Sequence, residues 1–167
     1  MTIELYLIRH GIAAEPEAYT NDEDRPLTSK GHQKTTKVGK QLRDKELHFD
    51  LILTSPLVRA RETAAILQAI GLGSQVEDFP SLAPEGNIQT WVTWLQERQE
   101  YSTGNECLAL VGHQPDLANW AETLVWGEAQ NKLILKKAGV IGLTLPKRGT
   151  PIGYSQLFLL TSPKWLI

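Results

Sequence analysis

The chain has 167 residues, of which 41% are hydrophobic and 22% charged, a composition that predicts one globular domain over residues 1–167. Seventeen basic and 19 acidic residues give a net charge of -2, so no overall basic field attracts the chain to nucleic acid or to an anionic membrane surface. The single cysteine, Cys107, excludes an intramolecular disulfide and lies beside an apolar run, which predicts a buried thiol.

The amino-terminal segment gives an expectation about location. It lacks a basic leader, and its apolar stretch is interrupted by Glu4 and Arg9. These features predict neither a signal peptide nor a membrane span, and we expect a cytoplasmic protein.

The first half of the chain alternates between strand and helix patterns. Short apolar runs predict strands at Ile3 to Ile8, at Asp50 to Thr54 and, more weakly, at Val76 to Phe79. Residues 14–28 are polar without periodicity, which is typical of a surface loop. Helices are expected from Thr28 or Ser29 to about residue 46, and from the Ser55-Pro56 pair to residue 71.

The second half continues the pattern. A helix is predicted over Ile88 to Arg98, a strongly apolar strand over Cys107 to Val111, and a further helix after Pro115. Two strands, Gly139 to Leu145 and Ser155 to Leu160, close the chain. The alternation favours an α/β sandwich with helices packed on a largely parallel sheet.

Polar residues follow three of these strands directly. They are Arg9 and His10 after the first strand, Ser55 to Arg61 after the second, and His113 after the strand that ends at residue 111. Ligands of parallel α/β sheets bind at the carboxyl ends of the strands, so these groups are expected to share one pocket. Clustered guanidinium groups repel one another unless an anion binds, and their planar forks match phosphate oxygens.

Four blocks of residues now identify a family. They are Arg9-His10-Gly11, Arg25-Pro26-Leu27-Thr28 with Gly31, Ser55-Pro56-Leu57-Val58-Arg59-Ala60 with Thr63, and Val111-Gly112-His113. In this order they resemble the histidine phosphatase superfamily, and the short chain most resembles its SixA-type phosphohistidine phosphatase branch. The resemblance implies a three-layer α/β/α sandwich around a mainly parallel, mixed sheet of the phosphoglycerate mutase-like type.

The resemblance also implies catalytic roles. His10 would be the nucleophile, transiently phosphorylated, with its second ring nitrogen held by a backbone carbonyl. Arg9 and Arg59 would clamp the phosphoryl oxygens, and His113 would donate to the charge that develops during transfer. No cofactor is implied.

Further positions would contact phosphate or substrate. These are Gly11, which would allow close backbone approach, together with Arg25 and Ser55. Arg61 should point away from the pocket, because it lies two helical residues beyond Arg59. A metal site is disfavoured, since the sequence has no cysteine pair and no HxxxH spacing.

The leaving group depends on a general acid. An alkoxide leaves poorly without a proton donor, whereas a protonated phosphohistidine expels a neutral imidazole. Phosphomonoesterase branches take an acid from the segment after the third strand, where this chain has Pro84 at the corresponding place and Glu85 one residue on. Glu85 is therefore either a general acid or a solvated loop residue.

Three functions stay open from the sequence. The first is a metal-independent protein phosphohistidine phosphatase, whose partner would be a phosphotransfer domain or a phosphocarrier protein. The second is a small-molecule phosphomonoesterase that uses Glu85 or another acid. The third is a phosphate-binding domain without turnover. The sequence leaves the physiological substrate and the oligomeric state open.

Overall fold

A computed structural model describes residues 2–167 and shows one six-stranded sheet in the order β3-β2-β4-β1-β5-β6. The first four strands are mutually parallel, β5 runs antiparallel to β1, and β6 at the edge runs antiparallel to β5. The predicted mainly parallel, mixed sheet is confirmed. The strand bounds are β1 Ile3–Arg9, β2 Leu51–Thr54, β3 Val76–Asp78, β4 Glu106–Gly112, β5 Val140–Leu145 and β6 Gln156–Thr161.

Five α-helices cover the two faces of this sheet. Helices α1, α2 and α5 share one apolar core with the sheet, and α3 and α4 share the other, which gives the three-layer sandwich. Within the described part of the chain, no helix is long and apolar enough to cross a membrane. The helix bounds are α1 Ser29–Asp44, α2 Val58–Ala69, α3 Ile88–Tyr101, α4 Asp116–Trp126 and α5 Pro163–Leu166, with short 3-10 turns at Pro16–Ala18, Asp22–Asp24 and Pro80–Leu82.

The central strands are buried on both faces. In β1, Leu5 packs in the core beneath α3 and α4, together with Trp91, whereas Ile8 packs in the core beneath α1 and α2, together with Val38. A strand covered on both sides needs apolar residues at successive positions, which explains the unbroken runs in β1, β2 and β4. Burying each such side chain contributes roughly 1.5 to 3 kcal/mol.

The main difference from the sequence prediction concerns the start of α2. The helix begins at Val58, because the backbone N–H of Ser55 donates to Val111 O at 2.9 Å and so continues the strand ladder. The Ser55 hydroxyl accepts the N–H of Leu57 at 3.2 Å. The Ser55-Pro56 pair therefore forms the turn from strand to helix. By contrast, α1 begins at Ser29, within the predicted start at Thr28 or Ser29, and Thr28 is its N-cap.

Candidate active site

Three strand ends bring the candidate residues together. The backbone N–H of His10, directly after β1, donates to Gly112 O of the neighbouring β4 at 3.0 Å. His113 follows β4, and its ring centroid lies 5.2 Å from that of His10. Arg59 comes from the first turn of α2, after β2. These residues line a pocket of about 310 Å³, together with Arg9 and Arg25.

His10 is held in one orientation. Its Nδ1 lies 2.7 Å from Gly11 O, a carbonyl that only accepts, so Nδ1 carries the ring proton and Nε2 carries the lone pair. The Arg59 Nε–H donates to His10 Nε2 at 3.3 Å. Burial lowers the pKa of His10 to about 3, and the nearby cations act in the same direction. The ring is therefore neutral at neutral pH, as a nucleophile requires.

His113 is oriented by Ser55. Its Nε2 lies 2.7 Å from Ser55 Oγ, and both side chains are buried. The Ser55 hydroxyl oxygen accepts the N–H of Leu57. Among the described residues, His113 Nε2 is the acceptor within reach of the hydroxyl hydrogen, so the hydroxyl donates to Nε2. The ring proton of His113 then resides on Nδ1, which has no protein partner. Burial lowers the pKa of His113 to about 4.

Asp22, an aspartate without a periodic signal in the sequence, binds two arginines of the pocket. Arg59 donates through its two terminal nitrogens to Asp22 O at 2.9 Å and Asp22 Oδ2 at 3.0 Å, and Arg25 Nε donates to Asp22 Oδ1 at 2.9 Å. Burial alone raises the pKa of Asp22, but the hydrogen bonds from both arginines outweigh it and leave the pKa below its usual value. Asp22 lies in a loop without periodicity, so only its position three residues before Arg25 hinted at this role.

Arg9 is held by the loop before β5 and not by Asp22. One terminal nitrogen donates to Leu135 O at 3.0 Å, while its Nε is buried without a partner in the described chain. Burial lowers the pKa of this guanidinium. An anion in the pocket would supply the missing acceptor, since buried donors are rarely left unpaired.

Ser55 and Gly11, which were predicted to contact phosphate, do not line the pocket. Ser55 is 0% exposed and lies behind His113, so it positions the histidine and does not line the pocket. Gly11 is required by packing against α1, because a Cβ there would lie 2.4 Å from Thr35 Oγ1. The absence of a side chain at Gly11 therefore allows α1 to pack close to it, and the Gly11 carbonyl oxygen accepts the hydrogen bond from His10 Nδ1.

The acidic residue on the rim of the pocket is not Glu85, the candidate from the sequence. Pro84 lines the pocket, whereas Glu85 does not, and the Glu85 backbone N–H donates to Asp116 Oδ2 at 2.9 Å. The acidic side chain on the rim is instead Glu15, which is exposed in the loop after β1. Arg61 points away from the pocket and pairs with Asp78.

Comparisons with known proteins identify this site. The model of the histidine phosphatase superfamily (branch 1) matches residues 5–113, which include the two histidines and the three arginines of the pocket. The chain belongs to the histidine phosphatase superfamily. The match ends at His113, so it covers every strand end that contributes to the pocket.

Within this superfamily the chain is similar to SixA in sequence and in fold. It is 25% identical to the phosphohistidine phosphatase SixA of Escherichia coli over 148 residues, or 88% of each chain. A SixA structure complexed with tungstate superposes with a TM-score of 0.84 at 23% identity, covering 98% of this chain and 99% of that one. An uncharacterised protein of Picosynechococcus sp. is 50% identical over 99% of both chains. Family membership and the SixA likeness support phosphatase activity.

Across residues 2–167, no group of three or more histidine, cysteine or acidic side chains is placed to hold a metal ion. The charged groups that converge on His10 are guanidinium groups, which bind anions.

Proposed function

We propose that this histidine phosphatase is a protein phosphohistidine phosphatase that works through a phospho-His10 intermediate without a metal. The observation that carries the proposal is the His10 geometry: Nδ1 donates to Gly11 O, and the lone pair of Nε2 faces the Arg59 guanidinium. A phosphoryl group in the pocket would meet a neutral nucleophile and at least two cations.

The first step would transfer the phosphoryl group to the enzyme. His10 Nε2 attacks the phosphorus, and the bond from phosphorus to the substrate imidazole breaks. Arg9 and Arg59 stabilise the equatorial oxygens, and His113 donates from Nδ1 to the same charge. Water then attacks the phosphorus, the bond to Nε2 breaks, and inorganic phosphate leaves.

The substrate class follows from the leaving group. A phosphohistidine protonated on its second ring nitrogen leaves as neutral imidazole and needs no acid from the enzyme. Among the described residues no carboxylate hydrogen-bonds to either pocket histidine, and Asp22 is engaged by Arg59 and Arg25. This arrangement suits a phosphohistidine better than a phosphate ester of an alcohol.

A small-molecule phosphomonoesterase is the second candidate, and Glu15 on the rim is the observation that favours it. In this case Glu15 would protonate the leaving alkoxide. Glu85, whose backbone is tied to Asp116, lies outside the pocket lining.

One experiment separates these functions and the non-catalytic alternative. Wild type, His10→Ala, Glu15→Gln and Glu85→Gln are compared on three substrates: a phosphotransfer-domain protein phosphorylated with phosphoramidate, an aryl phosphate and a sugar phosphate. We expect a strong preference for the phosphohistidine protein, loss of turnover in His10→Ala, and unchanged turnover of that protein in both glutamine variants. A preference for the sugar phosphate that disappears in Glu15→Gln would support the phosphomonoesterase. Absence of turnover and of a trapped phosphoenzyme would support a binding domain.

A further inference from the structure

A second cavity, of about 540 Å³, adjoins the phosphate pocket and shares Arg9 and Lys137 with it. Four segments form this cavity, which we call the lysine groove: the end of β1 with the loop after it, α1, the loop before β5 and the start of α5. Because Arg9 lies between the two cavities, a molecule that presents a phosphoryl group to His10 can extend directly into the groove.

The lysine groove is strongly positive although the chain has a net charge of -2. Lys34, Lys136, Lys137 and Lys164 line it with Arg9, and its lining contains no carboxylate. None of the four lysines pairs with an acidic group within 4.0 Å in the described residues. Four unpaired ammonium groups around one concavity raise the local potential and attract an anionic partner.

The floor of the lysine groove is apolar. Ile12, Ala138 and Pro163 lie among the lysines, and the last two are buried. An apolar centre inside a polar rim is common in protein interfaces. A site for a single phosphate would instead need donors that converge on one point, whereas these lysines come from three separated segments.

We infer that the lysine groove docks the acidic surface beside the phosphohistidine of a substrate protein. This inference rests on the proposed function and adds the recognition of the rest of the substrate. Charged rims of this kind act mainly on the rate of encounter and on its salt dependence. The chemistry at His10 would stay the same for substrates too small to reach the groove.

The test compares two triple variants of equal charge change. Lys34→Ser/Lys136→Ser/Lys164→Ser removes three of the five positive charges of the groove and leaves Arg9 and Lys137, which also line the phosphate pocket, intact. The control variant, Lys37→Ser/Lys40→Ser/Lys132→Ser, removes exposed lysines that lie outside the groove. Each is measured by kcat/KM on an acidic phosphohistidine protein, on a short uncharged phosphohistidine peptide and on an aryl phosphate, at low and high salt.

At low salt, we expect kcat/KM of the groove variant on the acidic protein to fall about tenfold, because KM rises while kcat stays unchanged. Its kcat/KM on the peptide and on the aryl phosphate should stay within twofold of wild type, which also shows that the variant is folded. The control variant should match wild type on all three substrates, and high salt should remove the difference.

Other results overturn the inference in distinguishable ways. Equal kcat/KM of both triple variants on the acidic protein would overturn the proposal that the groove docks the substrate protein. The proposed function would be unaffected by this result. Turnover of a bisphosphorylated small molecule and binding to vesicles rich in anionic lipid are measured as well. A loss confined to either of them would replace the protein surface with that ligand. If wild type turns over neither the protein nor the peptide, the proposed function fails and the groove proposal fails with it.

Discussion

Replacing Ser55 by alanine should separate the orientation of His113 from the rest of the machinery. The hydroxyl lies 2.7 Å from His113 Nε2 and is fully buried, so its loss leaves that nitrogen and the Leu57 N–H without partners. Each buried unsatisfied group costs about 1 to 3 kcal/mol of stability. The lost bond is worth about 1 to 1.5 kcal/mol, and 1.4 kcal/mol corresponds to a tenfold change in rate. We expect kcat to fall about tenfold with KM nearly unchanged.

The matched control is Thr54→Val. Thr54 is also buried, and its hydroxyl donates to Ser55 O at 3.0 Å without contacting either pocket histidine. It should lower the free energy of unfolding by about 1 kcal/mol and leave kcat unchanged. Steady-state kinetics on an aryl phosphate and guanidinium unfolding measure both quantities. Wild-type kcat in Ser55→Ala, or an equal loss in Thr54→Val, would refute the orienting role.

Three further variants test other parts of the structure. Asp22→Ala should lower kcat/KM about fivefold, because Arg59 loses a partner whose side chain is 57% exposed and hence partly screened; a faster variant would mean that the carboxylate competes with substrate. Gly11→Ala should lower the melting temperature, since the new methyl meets Thr35 Oγ1 at 2.4 Å, and adding Thr35→Ala should recover part of the loss. Burial lowers the pKa of His10 to about 3, from about 6.5 in an unfolded chain, so the unfolded state takes up more protons and stability falls as the pH drops through this window. In His10→Gln the slope of unfolding free energy against pH should be shallower by up to about 1.4 kcal/mol per pH unit; identical slopes would contradict the buried neutral ring.

The sequence predicted the sheet well, because burial on both faces forces continuous apolar runs in strands such as Leu51–Thr54 and Glu106–Gly112. The positions of His10 and His113 followed from the same logic, since polar residues directly after buried strands meet at one edge of the sheet.

Contacts that depend on loop conformation did not follow from the sequence. Asp22 engages Arg59 across 37 positions, and no local pattern encodes a pairing between a loop and a helix. The family resemblance implied that Ser55 contacts the phosphate, whereas strand pairing at Ser55 and the bond from its hydroxyl to His113 place it behind that histidine. The family resemblance placed a possible acid after the third strand, at Glu85, whereas Glu15 lies in an aperiodic loop that gave no signal for the rim.

The register between β1 and β4 has an evolutionary consequence. Arg9 lies opposite Gly112 in this parallel pair, so the two histidines that follow are spaced by the fixed distance between neighbouring strands. The reacting core is thus rigid, while the rim comes from loops such as residues 13–16 and Pro84. Loops tolerate insertions far better than paired strands do. Lengthening either rim loop can therefore introduce an acid, a roof or a new substrate contact while the phosphoryl-transfer geometry is inherited unchanged.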